Sequence, residues 1–405
     1  MSPGPSARDS RPKVLMLATR VPLSSGDGTP SFILDSAIKL ASEFEILIIA
    51  PRVSGSRRTV ETDGVTIRRF AYFPARHERL AEDAIVPQLK RHPGLWIQAA
   101  CLLVAMSGCA VWEALKSRPS LVHAQWIIPS GLIARLLHVA GIPYLVTARG
   151  ADVFSLTGRF SRRMKHVAIK RSARFIGVSS EIVNQFPGIG VPTDVQPSGV
   201  DFRLWSDLVV ARDPDPARVL YVGRLAEKKG VTDLIRAVAE MPGVRLRIVG
   251  DGPMAPLLRR TVDDLGILDR VDFLGRRSRA EVASEMRFAT CIAIPSVTAA
   301  DGDRDGTPNV LGEAIAARVP VVGARTAGIA ELIEHGETGL LHEPGDLDSL
   351  KRCIRSAIDD RSAAAARAQE ARVRLWGVLD ATQAAERYAN WYRLAIAEPE
   401  SAQAW

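Results

Sequence analysis

Short apolar runs alternate with longer amphipathic segments through the first half of the chain. Residues 13–18 have the composition of a buried strand, residues 31–42 place apolar side chains on one helical face, and residues 45–50 form a second apolar strand. The alternation continues with predicted strands at 63–69, 121–124, 144–147 and 175–178 and predicted helices at 130–139 and 161–171. Strands separated by helices are typical of a parallel α/β sheet.

The pattern breaks at residues 202–216, where the sequence Asp213-Pro214-Asp215-Pro216 predicts a linker. A second alternation follows, with predicted strands at 219–222, 245–249, 271–274, 291–294 and 319–322 and predicted helices at 232–240, 256–265, 279–286 and 308–317. We therefore predict an α/β fold of two doubly wound, Rossmann-like domains that face each other across a cleft. The predicted boundaries are a disordered tail at 1–11, an N-terminal domain at 12–201, a linker at 202–217 and a C-terminal domain at 218–378.

One segment of the first domain is unusually apolar, because residues 95–112 carry no charged side chain. That length raises the question of a membrane span, but Gln98, Ser107 and Gly108 interrupt it and a strand of the same sheet follows at residue 121. Strands of one sheet cannot lie on both sides of a bilayer. We therefore expect a helix that is buried or docked at a membrane interface. The basic run from Arg159 to Arg171 is either a solvated helix face or part of the same lipid-facing patch.

Charge is unevenly distributed along the 405 residues. Residues 1–200 hold 25 Lys and Arg against 14 Asp and Glu, a net +11, whereas residues 201–405 hold 28 against 31, a net −3. The basic half predicts contact with anionic lipid or an anionic acceptor, and because it lacks a basic stripe interleaved with aromatic residues we expect no nucleic acid. The four cysteines form no C-x-x-C pair and the N-terminus has no secretory signal. We therefore expect free thiols and a cytoplasmic location at the inner face of the membrane.

Candidate chemistry is concentrated in residues 301–317, which read D-G-D-R-D-G-T-P-N-V-L-G-E-A-I-A-A. Thr307 suits a helix N-cap and Pro308 the first helical position, so Asp305 precedes a helix N-terminus whose free N–H groups attract a phosphate. The start D-x-D-x-D-G imitates a calcium-binding EF-hand loop, but its twelfth position, which needs a Glu, is Gly312. A solvated acidic loop before an ordinary helix is the remaining alternative.

Two cations and several glycines lie on predicted loops at the same edge of the second sheet. Arg224 and Lys229 stand five positions apart between a strand and a helix, where they either close on a diphosphate or are plain surface cations. Glycines on these loops let the backbone approach a ligand closely, and they are Gly223, Gly250 and Gly252. In the first domain, the loop of Gly26 and Gly28 matches no dinucleotide fingerprint and is either a phosphate loop or a turn.

In order and spacing, these motifs resemble a known family. The C-terminal donor domain of the retaining family 4 glycosyltransferases, also called group 1, is similar to this chain in V-G-R-L-x-x-K-K-G, V-G-D-G-P, F-L-G, D-G-T-P-N-V-L-G-E and G-E-T-G-L-L-H-E-P-G-D. The N-terminal half agrees through V-H-A-Q-W-I-I-P-S-G-L-I-A and T-A-R-G-A-D-V. The resemblance implies the GT-B architecture and a C-terminal helix, within 379–405, that crosses back to the first domain. It also implies no metal, so that Asp301 and Asp303 form a false magnesium motif.

The resemblance assigns roles residue by residue. The family's acidic pair falls on Asp305, which would contact hydroxyls of the donor sugar, and on Glu313, which would hold the ribose. Arg224 and Lys229 would bind the donor diphosphate and offset charge as the nucleoside diphosphate leaves. Backbone amides would assist, from Thr307, Asn309 and Val310. Electrostatic stabilisation of this kind lowers a barrier without a metal.

Two positions depart from the family pattern. Asp305 stands where the family usually has Glu, so its side chain is one methylene shorter. Arg149 stands where the family has the His of H-G-x-D, and a guanidinium cannot accept a proton at neutral pH. Arg149 could clamp the donor phosphate or an anionic acceptor, the chain could be a poor catalyst, or His123 at a nearby strand end could supply a neutral contact. A lone His in an apolar strand is otherwise structural.

Together these features predict a retaining glycosyltransferase of cell-surface polysaccharide assembly. It would move a sugar from a nucleoside diphosphate donor of the UDP or GDP type to a lipid-linked or polysaccharide acceptor, by front-face substitution without a covalent intermediate. Two alternatives remain open. One is a nucleotide-sugar epimerase of the same fold, and the other, which Arg149 favours, is a catalytically weak nucleotide-sugar-binding subunit of a membrane assembly complex.

Overall fold

Two separate sheets organise the chain. The computed structural model describes residues 11–23, 31–83, 85–155, 157–206 and 216–398, so that Gly26, Gly28, nearly all of the predicted tail and most of the predicted linker lie outside it. One sheet has eight strands and the other has six. Neighbouring strands are parallel throughout, apart from one antiparallel hairpin. The predicted α/β fold of two doubly wound sheets is therefore confirmed.

The first sheet is built from the N-terminal half. Its strands are β1 (Lys13–Ala18), β2 (Glu45–Pro51), β3 (Thr59–Thr62), β4 (Val65–Phe70), β5 (Leu121–Gln125), β6 (Tyr144–Ala148), β7 (Arg174–Gly177) and β8 (Thr193–Val195), in the order β3-β4-β2-β1-β5-β6-β7-β8. The helices of this half are α1 (Phe32–Leu40), α2 (Ile85–Arg91), α3 (Trp96–Ser117), α4 (Leu132–His138), α5 (Ala151–Phe154), α6 (Arg159–Ile169), α7 (Ser180–Asn184) and α8 (Phe202–Ser206). Apolar side chains of α3, α4 and α6 pack on one face of the sheet, and those of α1 pack on the other.

Burial along the strands follows from this layering. All but the first residue of β1 is buried, as expected for a central parallel strand covered on both faces. The edge strand β3 has no buried residue, and it was absent from the sequence prediction. The predicted strand 63–69 begins instead at Val65, because Asp63 (φ 46°) and Gly64 (φ 80°) form the turn of the β3–β4 hairpin. An Asp-Gly pair with positive φ at both positions is the typical two-residue hairpin turn.

The second sheet is built from the C-terminal half. Its strands are β9 (Ala217–Val222), β10 (Val244–Val249), β11 (Val271–Gly275), β12 (Cys291–Ile294), β13 (Val321–Ala324) and β14 (Leu340–His342), in the order β11-β10-β9-β12-β13-β14. The helices are α9 (Val231–Ala239), α10 (Ala255–Asp264), α11 (Arg279–Arg287), α12 (Asn309–Ala317), α13 (Ala327–Ala330), α14 (Leu347–Asp359), α15 (Arg361–Leu379) and α16 (Ala381–Ala397). The strand predicted at 319–322 lies two residues further on, because Val319 and Pro320 connect it to α12.

The last helix, α16, returns to the first sheet. Its side chains Tyr388, Trp391 and Tyr392 join the apolar core formed with α1 and the strands of that sheet. The crossing is held by the backbone: Val200 N–H donates to Leu379 O (2.8 Å) and Ala381 N–H donates to Val200 O (2.9 Å). Helix α16 is therefore structurally part of the N-terminal half.

Helix α3 differs from the other helices in its composition. The segment Pro93–Ser117 is long and apolar enough to cross a membrane by length and composition, and few of its side chains are buried in the protein. Side chains of Leu102, Met106 and Ala110 nevertheless join the core under the sheet. The helix is thus partly buried, with one apolar side left exposed.

Removing the Tyr392 side chain tests how much α16 contributes to the fold. Because Tyr392 is fully buried in the core that α16 shares with the first sheet, Tyr392→Ala should lower the free energy of unfolding by about 3–5 kcal/mol. Leu394→Ala, in the same helix but at a position 46% exposed, should change it by less than about 0.5 kcal/mol. Urea unfolding followed by circular dichroism measures both, and equal effects would contradict the packing.

Candidate functional site

A cavity of about 950 Å³ lies between the two sheets, at the carboxyl ends of their strands. Its wall combines the loops after β9, β10 and β11 with α1, the β3–β4 hairpin and the start of α12. Several arginines and lysines line it, and they are Arg20, Arg57, Arg69, Arg224, Lys229, Arg276, Arg277 and Arg279. Fewer carboxylates do so, and they are Asp35, Asp63, Asp83, Asp251 and Glu313. The excess of positive charge favours an anionic ligand.

Glycine backbone forms the floor of the cavity between β9 and β10. A Cβ atom at Gly250, where φ is 133°, would lie 1.9 Å from Gly223 O, so no other residue fits there. Gly223 and Gly250 both line the cavity, as the sequence predicted, but Gly252 does not. Its amide faces Asp251 Oδ1 at 2.7 Å instead.

Arg224 reaches across the cleft from the β9 loop. Its Nη2 donates to Asp83 Oδ2 at 2.7 Å, and Asp83 also lies 3.6 Å from Arg20 Nη1. Burial lowers the pKa of Arg224, and Asp83 opposes that shift. An anionic ligand that displaced Asp83 would therefore meet a desolvated guanidinium already aimed into the cavity.

Lys229 contacts the acidic loop directly. Its Nζ lies 2.6 Å from Asp305 Oδ2, which also accepts from Ser296 Oγ at 3.0 Å. Burial would raise the pKa of Asp305, but Lys229 and Lys228 together hold it below its usual value. Lys229 lines the cavity, whereas Asp305 does not. The structure thus brings both predicted residues together but does not direct Asp305 at the cavity.

Each carboxylate of the 301–305 loop faces a lysine. Asp301 pairs with Lys90, a residue of α2 on the other side of the cleft. Asp303 lies 3.1 Å from Lys228, which in turn lies 3.6 Å from Asp305. Ammonium groups therefore balance the negative charge of this loop.

The start of α12 differs from the prediction. The helix begins at Asn309, and the position before it is Pro308 with extended backbone (ψ 127°), so Thr307 is not the N-cap. Thr307 Oγ1 instead donates to Val178 O at 2.7 Å, a bond that crosses the cleft. Asn309 and Val310 line the cavity at the helix N-terminus, whereas Thr307 does not.

Glu313 lines the cavity one turn further along α12. Burial raises the pKa of its carboxyl group to about 7, the positive charge of Arg279 opposes the shift, and the negative charge of Asp35 adds to it. Arg279 Nη2 donates to Asp35 Oδ2 at 2.6 Å and also to Ser31 Oγ, so α11 and α1 meet across the cleft beside Glu313. Protonation of Glu313 therefore changes near neutral pH.

Arg149 does not reach the main cavity. Its guanidinium donates to Gln125 Oε1 (2.6 Å) and Ser198 Oγ (3.0 Å) and stacks on the ring of Phe32 at 4.1 Å. It faces a much smaller pocket beside α16 and the segment that leads into α8. Its side chain turns toward the crossing between the two halves, and its role as a clamp for the donor phosphate or an anionic acceptor stays a prediction. A Cβ atom added at the adjacent Gly150, where φ is 116°, would lie 3.0 Å from the amide nitrogen of Gly306, so the two loops approach each other closely across the cleft.

His123 is a core residue. It is buried, and its ring nitrogens contact Tyr392 Oη at 2.5 Å and Thr147 Oγ1 at 2.8 Å. Burial, aided by the positive charge of Arg149, lowers its pKa to about 3, so the ring is neutral. His123 does not line the cavity, and its contacts connect β5 and β6 with α16, so the neutral contact expected of it stays a prediction.

Sequence reasoning missed three residues that the cavity depends on: Asp35, Asp83 and Arg279. A signal for Arg279 was present, since R-R-S-R-A-E follows the third strand of the second sheet and combines a capping box with three arginines. Parallel strands direct such loops to one edge, where they converge. Asp35 and Asp83 carry no comparable signal, because their positions depend on how the two halves meet.

The pKa of Glu313 predicts a pH effect on stability. Because burial raises this pKa from 4.5 to about 7, the contribution of Glu313 is fully present below pH 4.5 and is lost as pH rises through 7. Between pH 5 and 8 the wild type should therefore lose up to about 3 kcal/mol that Glu313→Gln does not lose. Urea unfolding of both proteins at the two pH values measures this difference. An equal loss of unfolding free energy in the two proteins would contradict the raised pKa of Glu313.

The contacts of His123 predict a structural effect only. His123→Leu leaves the hydroxyl of Tyr392 buried without its partner, at a cost of about 1–3 kcal/mol, whereas Thr147 Oγ1 keeps its contact with Tyr388 Oη at 3.3 Å. Affinity of the remaining folded protein for a nucleoside diphosphate should not change, because the ring lies outside the cavity. Thermal unfolding and calorimetric titration separate the two effects. His92→Leu, at an exposed position, is the control, and loss of affinity in His123→Leu alone would place the ring in the site.

Two family models match the two halves of the chain. The model described as glycosyl transferase 4-like domain matches residues 33–197, and the model described as glycosyl transferases group 1 matches residues 209–374. Together they cover most of both sheets.

Individual proteins agree with these models. The chain is 31% identical over 282 residues to glycogen synthase of Mycobacterium tuberculosis, a match that covers 65% of this chain and 66%, just under two thirds, of that protein. It is 27% identical over 353 residues to a GDP-mannose-dependent alpha-(1-6)-phosphatidylinositol monomannoside mannosyltransferase of Mycolicibacterium smegmatis, covering 84% of this chain and 87% of that one.

Among solved structures, Anabaena HepE in complex with UDP and glucose superposes with a TM-score of 0.72. Its sequence is 22% identical, and the match covers 94% of this chain and 99% of HepE, so the likeness concerns the fold. The family resemblance predicted from the motifs is thereby confirmed: this chain belongs to the group 1 glycosyltransferases and has their GT-B fold.

Proposed function

We propose that this chain is a retaining glycosyltransferase that moves a sugar from a nucleoside diphosphate donor to a lipid-linked or polysaccharide acceptor. The observation that carries the proposal is the cavity between the sheets, which Arg224, Lys229 and Glu313 all line. Cations for a diphosphate and a carboxylate for hydroxyl groups are the chemistry that a nucleotide sugar requires.

The donor diphosphate would bind between Arg224 and Lys229. Each of these cations now bonds a carboxylate, Asp83 and Asp305 respectively, so the phosphates would exchange with acidic partners already in place. The amides of Asn309 and Val310 at the start of α12 add partial positive charge to the same wall. Glu313, deeper in the cavity wall, would accept hydrogen bonds from the ribose.

The base of the donor is of the UDP or GDP type. HepE, which shares the fold, was solved with UDP and glucose, and the M. smegmatis relative is named as dependent on GDP-mannose. The arginine-rich loop from Arg276 to Arg279 faces the cavity beside Gly250 and would surround the nucleoside.

Catalysis would consist of stabilising the departing nucleoside diphosphate. As the bond from the sugar to the phosphate breaks, negative charge builds on the phosphate oxygens, and two fixed cations favour that state over the ground state. The acceptor would attack the same face that the diphosphate leaves, so the configuration is retained and no covalent enzyme intermediate forms. The proposal assigns the cationic role to Arg224 and Lys229 and needs no metal ion.

The acceptor would bind to the N-terminal half. The M. smegmatis relative is named for a phosphatidylinositol-linked acceptor, and it matches this chain over most of both lengths. A lipid-linked acceptor requires the protein to work at a membrane surface, so we place it in the cytoplasm at the inner face of the membrane. The net charge of +11 in residues 1–200 and the exposed apolar side of α3 support that location.

Incubation with a panel of UDP- and GDP-sugars tests the function. We expect hydrolysis or transfer of one donor with retained anomeric configuration, unchanged by EDTA. Arg224→Ala and Lys229→Ala should each lower kcat by about 10²–10³-fold, because each removes one of the two charges on the leaving group. Arg236→Ala, at an exposed position of α9 outside the cavity, is the matched control and should have no effect.

Three results would contradict the proposal. Inverted configuration would exclude the front-face mechanism, and loss of activity in EDTA that Mg²⁺ restores would place a metal in the site. Isomerisation of the donor without transfer would indicate an epimerase. Tight donor binding with no turnover would indicate a binding subunit, and the position of Arg149 outside the main cavity is the observation that favours that second candidate.

A further inference from the structure

Helix α3 exposes an unusual amount of apolar surface. Its polar side chains Gln98 and Glu113 are buried, as are Leu102 and Met106, while six other large apolar side chains face solvent. The exposed ones are Trp96, Ile97, Leu103, Val104, Trp112 and Leu115, of which Val104 is 73% and Leu115 74% exposed. Spacings of 3, 7 and 11 positions separate them, which are helical repeats, so they form one broad uncharged stripe along the 22 residues, a length of about 33 Å.

The buried polar side of α3 fixes which way the helix faces. Gln98 accepts from the amides of Arg79 (3.1 Å) and Leu80 (3.2 Å) and donates to His77 O (2.8 Å). At the other end, Glu113 forms an ion pair with Arg68 of β4. Pulling the helix into a bilayer as a span would leave these groups in hydrocarbon without partners, which is costly. The apolar stripe can therefore meet a membrane only from the side.

The neighbouring helices extend the same outer surface. Helices α4 and α6 pack beside α3 on one face of the sheet and share its core. Their own exposed apolar side chains are Leu136, Val139, Phe160 and Val167, with Val139 and Phe160 more than three quarters exposed. We call the outer surfaces of α3, α4 and α6 the three-helix face.

Charge on the three-helix face has a single sign. The exposed charged residues in 96–118, 132–141 and 157–171 are all basic, namely Lys116, Arg118, Arg159, Arg162, Arg163, Lys170 and Arg171. The one acidic residue in these ranges, Glu113, is buried in its ion pair with Arg68. Apolar side chains surrounded by basic ones are the composition that an anionic lipid surface binds.

We propose that the three-helix face docks on an anionic bilayer, with α3 lying parallel to the membrane plane. A second copy of the chain would bring like charges together, so the observations favour lipid over self-association. The proposal rests on the proposed function for its biological setting, but not for its physical argument.

Docking on this face would orient the cleft. The N-terminal end of α3 follows α2, whose Lys90 pairs with Asp301 of the loop next to the cavity. Trp96, Ile97 and Phe160 lie at the N-terminal ends of α3 and α6. These helix ends are on the cleft side, because each helix comes after the carboxyl end of a strand in the sequence. The mouth of the cavity would then lie beside the lipid headgroups, where a lipid-linked acceptor could enter without leaving the bilayer.

Flotation of the full chain with vesicles tests the docking. The probes are phosphatidylcholine vesicles with and without phosphatidylglycerol, at low and high salt. We expect binding only to the anionic vesicles, with release at high salt because headgroup attraction is screened. Trp fluorescence should shift to the blue on binding, since Trp96 and Trp112 leave water.

Matched variants locate the surface. Val104→Asp should weaken binding at least about tenfold, because it places a charge in the apolar stripe. Val373→Asp, at an exposed valine of α15 in the other half, should not weaken it. Reversing Arg162 and Arg163 to Glu should weaken binding about 25-fold or more, since each basic residue near such a surface contributes about fivefold. Reversing Arg352 and Arg355 of α14 is the control.

Several outcomes would overturn the proposal. Binding indifferent to lipid charge, or equal effects of Val104→Asp and Val373→Asp, would exclude this face. Resistance to extraction by salt and alkaline carbonate would indicate a span. Concentration-dependent dimers that Val104→Asp abolishes, without vesicle binding, would indicate self-association. Donor hydrolysis measured without vesicles should be the same in Val104→Asp as in the wild type, so failure of docking and failure of the proposed activity are separable.

Discussion

Opposite charges that meet across the cleft hold the two halves in one arrangement. Arg279 bonds Asp35, Arg224 bonds Asp83, Lys90 bonds Asp301 and Arg304 Nε bonds Glu181 Oε1 at 2.6 Å. Each pair joins one residue of the first half to one of the second, and several are half-buried, where an unpaired charge would be costly. These pairs connect the two halves of the chain on either side of the cavity.

One of these pairs, Arg224 with Asp83, and the pair of Lys229 with Asp305 inside the second half make the cavity ready for an anion. A diphosphate can replace a carboxylate beside Arg224 or Lys229 with little movement of the cation, because the exchange conserves the sign of the partner. Arrangement of the cleft and binding of a donor are therefore coupled through the side chain of Arg224, which takes part in both. In a site whose cations are fully solvated, ligand binding must remove that water. Here the arginine and lysine side chains are already partly desolvated in the folded protein, so the ligand bears less of that cost.

The sequence was sufficient for the fold and for part of the site, and the reasons are physical. Strand and helix positions followed from apolar periodicity, and the loops at strand ends brought Arg224, Lys229 and Glu313 to one cavity as parallel topology requires. The orientation of a side chain was not predictable. Arg149 and Asp305 occupy the expected backbone positions, yet one turns toward Ser198 and the other toward Lys229, because local partners compete for them. The edge strand β3 was missed since its residues are exposed and lack an apolar run.

The chain passes between the two halves twice, once through Val200 and once through Asp380, and the two passages are hydrogen-bonded side by side. A single connecting strand would permit twisting about its own axis, whereas a paired connection resists torsion and leaves bending as the soft motion. Opening of the cleft should then be a rotation about one hinge axis, with Arg149 and Ser198 close to that axis. It also means that cutting the gene at the linker cannot yield two independent folding units, because the first would lack the helix that completes its core.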